Sequence, residues 1–125
     1  MKRILVAEDR PASLELIRTV LESAGYEVID AVDGQEALDK AGAQAVDLVL
    51  LDLQMPKIDG FGVVTRLRND PKFADIPIVA LTASAMQGDR ERALDAGFSC
   101  YIPKPIDLAV LRSEIGRLIG AKGAC

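Results

Sequence analysis

Three carboxylates, one hydroxyl and one amine follow short apolar runs in the sequence, and together they could handle a phosphoryl group. They are Glu8, Asp9, Asp52, Thr82 and Lys104. Carboxylates held about 4 Å apart repel by roughly 4 kcal/mol at an effective dielectric near 20, so such a cluster needs a proton or a cation. With oxygen ligands and no histidine nearby, a hard cation fits, and Mg²⁺ is the ion that the residue types favour.

A carboxylate beside Mg²⁺ can attack phosphorus and form an aspartyl phosphate. Asp52 would be the nucleophile, the metal would neutralise one phosphoryl oxygen, and Lys104 a second, while the Thr82 hydroxyl would donate to a third. Taken singly, each residue has an ordinary structural explanation, such as a helix cap, a strand end or a solvated surface charge. Their common placement after apolar runs favours a functional site.

The elements that must position these residues alternate between two periodicities. Runs typical of strands cover 3–7, 46–51, 76–81 and 100–102, with a weaker one over 26–32. Patterns typical of helices lie between them, at 14–24, 34–43, 60–69, 87–96 and 108–119, and Gly25 and Gly97 are expected at helix C-termini.

This alternation predicts an α/β fold with a doubly wound, five-stranded parallel sheet and helices on both faces. Ligands bind such sheets at the carboxyl ends of the strands, which is where the polar residues stand. The 125-residue length fits one domain, predicted over residues 1–121, with a short tail at 122–125.

Charge and hydropathy argue against several classes of function. The net charge is −4 without a basic tract, so direct nucleic-acid binding is not expected. No apolar run is long enough to span a membrane and no secretory signal is present, so we expect no membrane insertion and a cytoplasmic location. The two cysteines, Cys100 and Cys125, are interpreted as free thiols.

Four stretches resemble the response-regulator receiver family, and the resemblance covers essentially the whole chain. They are ILVAEDR at 4–10, DLVLLDLQMPKIDG at 47–60, IVALTA at 78–83 and YIPKPID at 101–107. The resemblance, rather than the periodicity, implies a CheY-like strand order of 2-1-3-4-5. It also implies a phosphoacceptor that catalyses its own phosphorylation and slow dephosphorylation, and not an enzyme that turns over substrate.

Site roles follow from the resemblance. It makes Asp52 the phosphorylation site, and it assigns the metal to Asp9, Asp52 and the backbone carbonyl of Gln54, with Glu8 acting mainly through a metal-bound water. Mn²⁺ is expected to substitute for Mg²⁺. The resemblance further implies that Thr82 and Lys104 bind the phosphoryl group and that Thr82 and Tyr101 are switch residues. Gln54 and Ser84 would tune dephosphorylation, and Pro105 would be a cis-proline.

Partners are implied in the same way. A histidine kinase or a histidine phosphotransfer protein would supply the phosphoryl group, and the face formed by the fourth helix, fifth strand and fifth helix would bind a downstream protein. A monomer or weak dimer is expected. The stretch LTASAMQGDRERALDAGF at 81–98 resembles stand-alone regulators of the DivK type and, equally, receivers attached to hybrid histidine kinases.

Three other functions remain open from the residues. A haloacid-dehalogenase-type phosphatase would need a second aspartate two residues after Asp52, where Gln54 stands. A flavin or nucleotide binder would need a glycine-rich phosphate loop, and the turn after the first strand is acidic instead. A docking module that never accepts phosphate is the third alternative.

Overall fold

The computed structural model describes residues 2–83 and 87–121, so Ser84 and the tail at 122–125 lie outside the described residues. The strands are β1 (Arg3–Ala7), β2 (Glu27–Ala31), β3 (Leu48–Asp52), β4 (Ile78–Thr82) and β5 (Cys100–Pro103). The α-helices are α1 (Pro11–Ser23), α2 (Gly34–Ala43), α3 (Gly60–Arg68), α4 (Gln87–Ala96) and α5 (Leu108–Ala121). A short 3-10 helix over Pro71–Phe73, which the periodicity does not predict, precedes β4.

The five strands form one parallel sheet in the order β2-β1-β3-β4-β5, which confirms the predicted fold class and topology. In the register, Leu51 pairs with Ala80 and Asp52 with Leu81. The side chains of Asp52 and Thr82 therefore stand at the carboxyl edge of two adjacent central strands.

Two strands begin later than the sequence indicates. β3 starts at residue 48 instead of 46, because the Asp47 carboxylate accepts the Arg3 N–H at 2.8 Å before regular pairing begins. β4 starts at 78 instead of 76, since Pro77 has no N–H to donate to the ladder. Both strands extend one residue further, so that Asp52 and Thr82 are the last strand residues and do not follow the strands.

Helix boundaries lie close to the periodic patterns. The α1 helix begins with Pro11 in its first turn and is followed by Gly25, whose φ of 95° places it in the left-handed region. Gly97 follows α4 in the same way, with a φ of 117°. Both glycines confirm the C-termini expected from the sequence.

The apolar core lies in two layers, one on each face of the sheet. Alternate strand residues divide between the layers: Leu5 packs towards α2, α3 and α4, and Ile4 towards α1 and α5. Cys100 is buried in the second layer and is disulfide-bonded, which makes the expectation of free thiols wrong, while Cys125 lies outside the described residues. Within 2–83 and 87–121, no helix is long and apolar enough to cross a membrane.

Candidate functional site

The carboxyl edge of the sheet brings together residues from the ends of two strands and from the segments that follow two others. Asp52 ends β3, Thr82 ends β4, and Glu8 and Asp9 follow β1 directly. Lys104 follows β5, where its N–H donates to the Thr82 carbonyl at 2.7 Å and its peptide bond to Pro105 is cis. These residues are far apart in sequence and adjacent in space, as the strand-end placement predicts.

Lys104 forms the centre of the site. Its Nζ lies 2.8 Å from Asp52 Oδ2 and 2.9 Å from Glu8 Oε2, so one ammonium group bridges the carboxylate at the end of β3 and a carboxylate that follows β1. Burial alone lowers the pKa of Lys104, but the hydrogen bonds and charges of Asp52 and Glu8 outweigh burial and raise that pKa above its ordinary value. The lysine therefore stays charged at neutral pH.

Glu8 is inaccessible to solvent, which the sequence does not reveal. Its Oε1 accepts the Arg10 N–H at 3.2 Å, so this carboxylate also supports the start of α1. Burial raises the pKa of Glu8 above its ordinary value and the charge of Asp52 acts in the same direction, while the hydrogen bond from Lys104 opposes them. A buried carboxylate with a raised pKa needs nearby positive charge to stay ionised.

Asp52 is held at both carboxylate oxygens and still faces an opening. Its Oδ1 accepts the Gln54 N–H at 2.9 Å while Oδ2 accepts Lys104, and only 7% of its side chain is exposed. A cavity of about 640 Å³ lies beside it, lined among others by Asp9, Asp52, Gln54 and Lys104. Among the described residues, Glu8 does not line this cavity, so Asp52 is the lysine-bound carboxylate that an incoming group can reach.

Three carboxylates are close enough to share a cation. Oxygen atoms of Glu8, Asp9 and Asp52 all lie within 4.8 Å of one another, and Asp9 is exposed while the other two are buried. Against these three negative charges the described site supplies one lysine. The all-oxygen donor set and the excess negative charge fit a hard divalent cation.

Two further candidate site residues lie on β4 and β5. Thr82 is 5% exposed at the end of β4, adjacent to the Lys104 backbone. Tyr101 is half-buried on β5, packs against the core layer beneath α4, and has the Arg90 guanidinium 5.7 Å from its ring centroid. Thr82 and Tyr101 therefore stand on two paired strands, β4 and β5.

The cavity wall includes residues that the sequence analysis did not single out. The N-cap residue Arg10 and the α1 residues Ser13 and Leu16 line one side, and Ile106 after β5 and Leu108 at the start of α5 line another. Leu16 is 56% exposed, which is unusual for a large apolar side chain beside a polar site. An apolar residue on the exposed side of an amphipathic helix is the signal that could have pointed to this wall.

Comparison with known proteins agrees with this geometry. Residues 4–116 match the response regulator receiver domain family. The chain is 40% identical over 119 residues to the polar-differentiation response regulator DivK of Brucella anthropi, covering 95% of this chain and 97% of that protein.

Solved structures of receivers are similar as well. The receiver domain of the sensor histidine kinase PA1611 from Pseudomonas aeruginosa, solved with a magnesium ion in its active-site cleft, is 38% identical with a TM-score of 0.89, covering 96% of this chain and 98% of that one. The chemotaxis response regulator CheY4 of Vibrio cholerae is 29% identical with a TM-score of 0.90, covering 94% and 98%. The chain therefore belongs to the response-regulator receiver family and is a receiver domain of two-component signalling.

Proposed function

We propose that this receiver accepts a phosphoryl group from a phosphohistidine onto Asp52, in the presence of Mg²⁺. The observation that carries the proposal is the Lys104 ammonium held 2.8 Å from Asp52, beside three carboxylates within 4.8 Å of one another. The donor would be a histidine kinase or a histidine phosphotransfer protein.

Asp52 is the nucleophile because it combines access with electrostatic support. It lines the cavity through which a donor can approach, and its carboxylate is fixed by the Gln54 N–H and by Lys104. One Asp52 oxygen attacks phosphorus, the phosphorus–nitrogen bond of the phosphohistidine breaks, and its electron pair leaves with the imidazole. Lys104 then neutralises one oxygen of the transferred group and the Thr82 hydroxyl donates to another.

Asp9 and Asp52 would hold the divalent ion together with the backbone carbonyl of Gln54, while buried Glu8 acts through a metal-bound water. The ion supplies positive charge for the carboxylates and the phosphoryl oxygens. Mn²⁺ also accepts oxygen ligands and is expected to substitute. The aspartyl phosphate is lost slowly to water, at a rate tuned by Gln54 and Ser84, so the chain acts stoichiometrically.

Phosphorylation would change the α4-β5-α5 face. It adds about −1.5 to −2 charges and three strong acceptor oxygens at Asp52. Thr82 moves towards these oxygens, and Tyr101 turns into the space that Thr82 leaves. The face then repacks and alters its affinity for a downstream protein or a further phosphorelay component.

The remaining features of the proposal follow the sequence. The receiver domain would span residues 1–121, with 122–125 as a tail, and act in the cytoplasm as a monomer or weak dimer. The net charge of −4 favours protein partners over direct contact with nucleic acid.

One experiment separates the proposal from its alternatives. The chain and its Asp52→Asn variant are incubated with a small phosphodonor, with and without Mg²⁺, and analysed by intact mass and by phosphate release. We expect one acid-stable, hydroxylamine-labile phosphoryl group per chain that requires both Mg²⁺ and Asp52. Multiple-turnover phosphate release would indicate a phosphatase, and an unmodified chain would indicate a docking module.

A further inference from the structure

The loop between β3 and α3, residues 53–59, has a strained turn next to the site. The Ile58 N–H donates to the Pro56 carbonyl at 2.8 Å, which closes a three-residue γ-turn around Lys57. Lys57 has a φ of 69° and, among the described residues, is the only non-glycine with positive φ. γ-Turns whose central residue has a positive φ are rare, and they persist where contacts with the surrounding structure hold them.

The N-terminal end of α2 holds this turn. The Gly34 N–H approaches the Pro56 carbonyl at 3.5 Å, and Asp33 Oδ2 lies 3.5 Å from Lys57 Nζ. Asp33 is itself fixed, because its Oδ1 caps α2 by accepting the Glu36 N–H at 2.8 Å. The turn therefore rests against a rigid helix terminus.

Gly34 permits the close approach. A Cβ at this position would overlap the Ile58 carbonyl oxygen and lie 2.7 Å from the Ile58 carbonyl carbon. Gly34 is buried, and the obstructing atoms belong to the loop backbone, so any side chain at residue 34 must displace the loop. Space, and not backbone conformation, requires glycine at this position.

The same loop carries the atoms that organise Asp52. The Gln54 N–H binds Asp52 Oδ1, and at the far end of the loop Gly60 donates to the Leu53 carbonyl at 3.2 Å. A shift at Ile58 would be transmitted over four residues to the Gln54 backbone. That backbone is where the proposed carbonyl ligand of the divalent ion lies.

We propose that Gly34 is a positioning residue that sets the divalent-cation affinity of the Asp52 site through the β3–α3 loop. The inference rests on the proposed function, since the cation is the Mg²⁺ assigned above. Residues that orient metal ligands change metal affinity by about 10- to 100-fold when altered. For a displaced loop that keeps both carboxylates in place, we expect the lower end, about 10-fold.

The test compares Gly34→Ala with Gly42→Ala in the whole chain. Both changes lie in α2 and add a single methyl group, but a Cβ at Gly42 has no neighbour within 4 Å among the described residues. Mg²⁺ titrations followed by backbone amide NMR should give a Kd raised about 10-fold for Gly34→Ala and unchanged within about 2-fold for Gly42→Ala. A wild-type Kd for Gly34→Ala would overturn the inference, as would equal weakening by both variants.

A measurement on the wild type decides the question if Gly34→Ala does not fold. By linkage, the ion must stabilise the loop contact that favours its binding. Amide exchange at Gly34 should slow by about 10-fold in saturating Mg²⁺, while exchange at Gln44, bonded to Lys40 at the other end of α2, stays constant. Unchanged exchange at Gly34 refutes the inference alone, whereas a wild-type chain that binds no Mg²⁺ refutes the proposed metal site as well.

Discussion

Replacing Lys104 by methionine removes the positive charge from the centre of the site while keeping a side chain of similar length. Lys104 Nζ lies 2.9 Å from Glu8 and 2.8 Å from Asp52, and Glu8 has no exposed surface. At an effective dielectric of about 20, one contact of this length provides roughly 5–6 kcal/mol of attraction, which is partly offset by desolvation. Without Mg²⁺ at pH 7, we expect Lys104→Met to lower the free energy of unfolding by about 3–5 kcal/mol.

The loss should depend on pH with a definite sign. Burial already raises the pKa of Glu8 in the folded chain, and removing the opposing hydrogen bond and charge of Lys104 raises it further. A folded state with a raised carboxyl pKa binds the proton more tightly than the unfolded state does. The deficit of Lys104→Met should therefore be complete above this raised pKa and shrink as the pH falls through it towards the ordinary value of 4.5.

Urea denaturation followed by far-ultraviolet circular dichroism, at pH 7 and pH 5 with a chelator present, measures both effects. Lys2→Met is the matched control, since Lys2 lies at an exposed position at the start of the sheet, so its midpoint should not move. Adding Glu8→Gln to Lys104→Met should recover much of the stability, because the amide carries no buried charge. The reasoning is refuted if Lys104→Met unfolds at the wild-type midpoint, or if its deficit grows as the pH falls.

Three further predictions concern the metal site and the fold. Mg²⁺ at about 100 times its Kd should stabilise the wild type by about 2.7 kcal/mol in thermal scans, and Asp9→Asn should remove most of this protection; equal protection of both would contradict the ligand set. Phe73→Ala should cost about 3–5 kcal/mol in urea denaturation because Phe73 is 1% exposed, while Leu16→Ala at a 56% exposed position should not. Arg68→Met should cost about 2–3 kcal/mol by the same method, because the guanidinium donates to the carbonyls of Phe73, Ile76 and Gly97 at 2.6–2.8 Å. Arg66→Met, at an exposed position, is the control. Similar midpoints for the two variants would show that these hydrogen bonds do not stabilise the fold.

The fold class and the edge of the sheet that carries the candidate site could be predicted from the sequence because both follow from periodicity. Continuous apolar runs separated by amphipathic segments fit a parallel sheet, and the edge rule for such sheets places Asp52 and Thr82 at the same edge. The order of the strands, which makes β3 and β4 neighbours, was implied by the family resemblance and not by the periodicity. The strand starts were misplaced by two residues, since Val46 and Ile76 pack into the core without joining the ladder. Burial and strand pairing produce the same apolar signal in a sequence.

Features that depend on tertiary contacts could not be predicted. The positive φ of Lys57 carries no sequence signal, because lysine is not a residue that favours that region. Likewise, Gly34 looks like an ordinary residue of a helix start, and only its approach to Ile58 shows why a side chain does not fit. The complete burial of Glu8 arises from tertiary packing, which no local pattern encodes.

The central claim is that carboxylates from two strands share one divalent ion beside Lys104. Anomalous diffraction from crystals soaked in Mn²⁺ locates such an ion directly. We expect a single strong peak in contact with Asp9 and Asp52 and with the backbone carbonyl of Gln54, and no peak in crystals of Asp9→Asn. A cation bound elsewhere, or Asp9 and Asp52 pointing away from each other in the soaked crystal, would contradict the account.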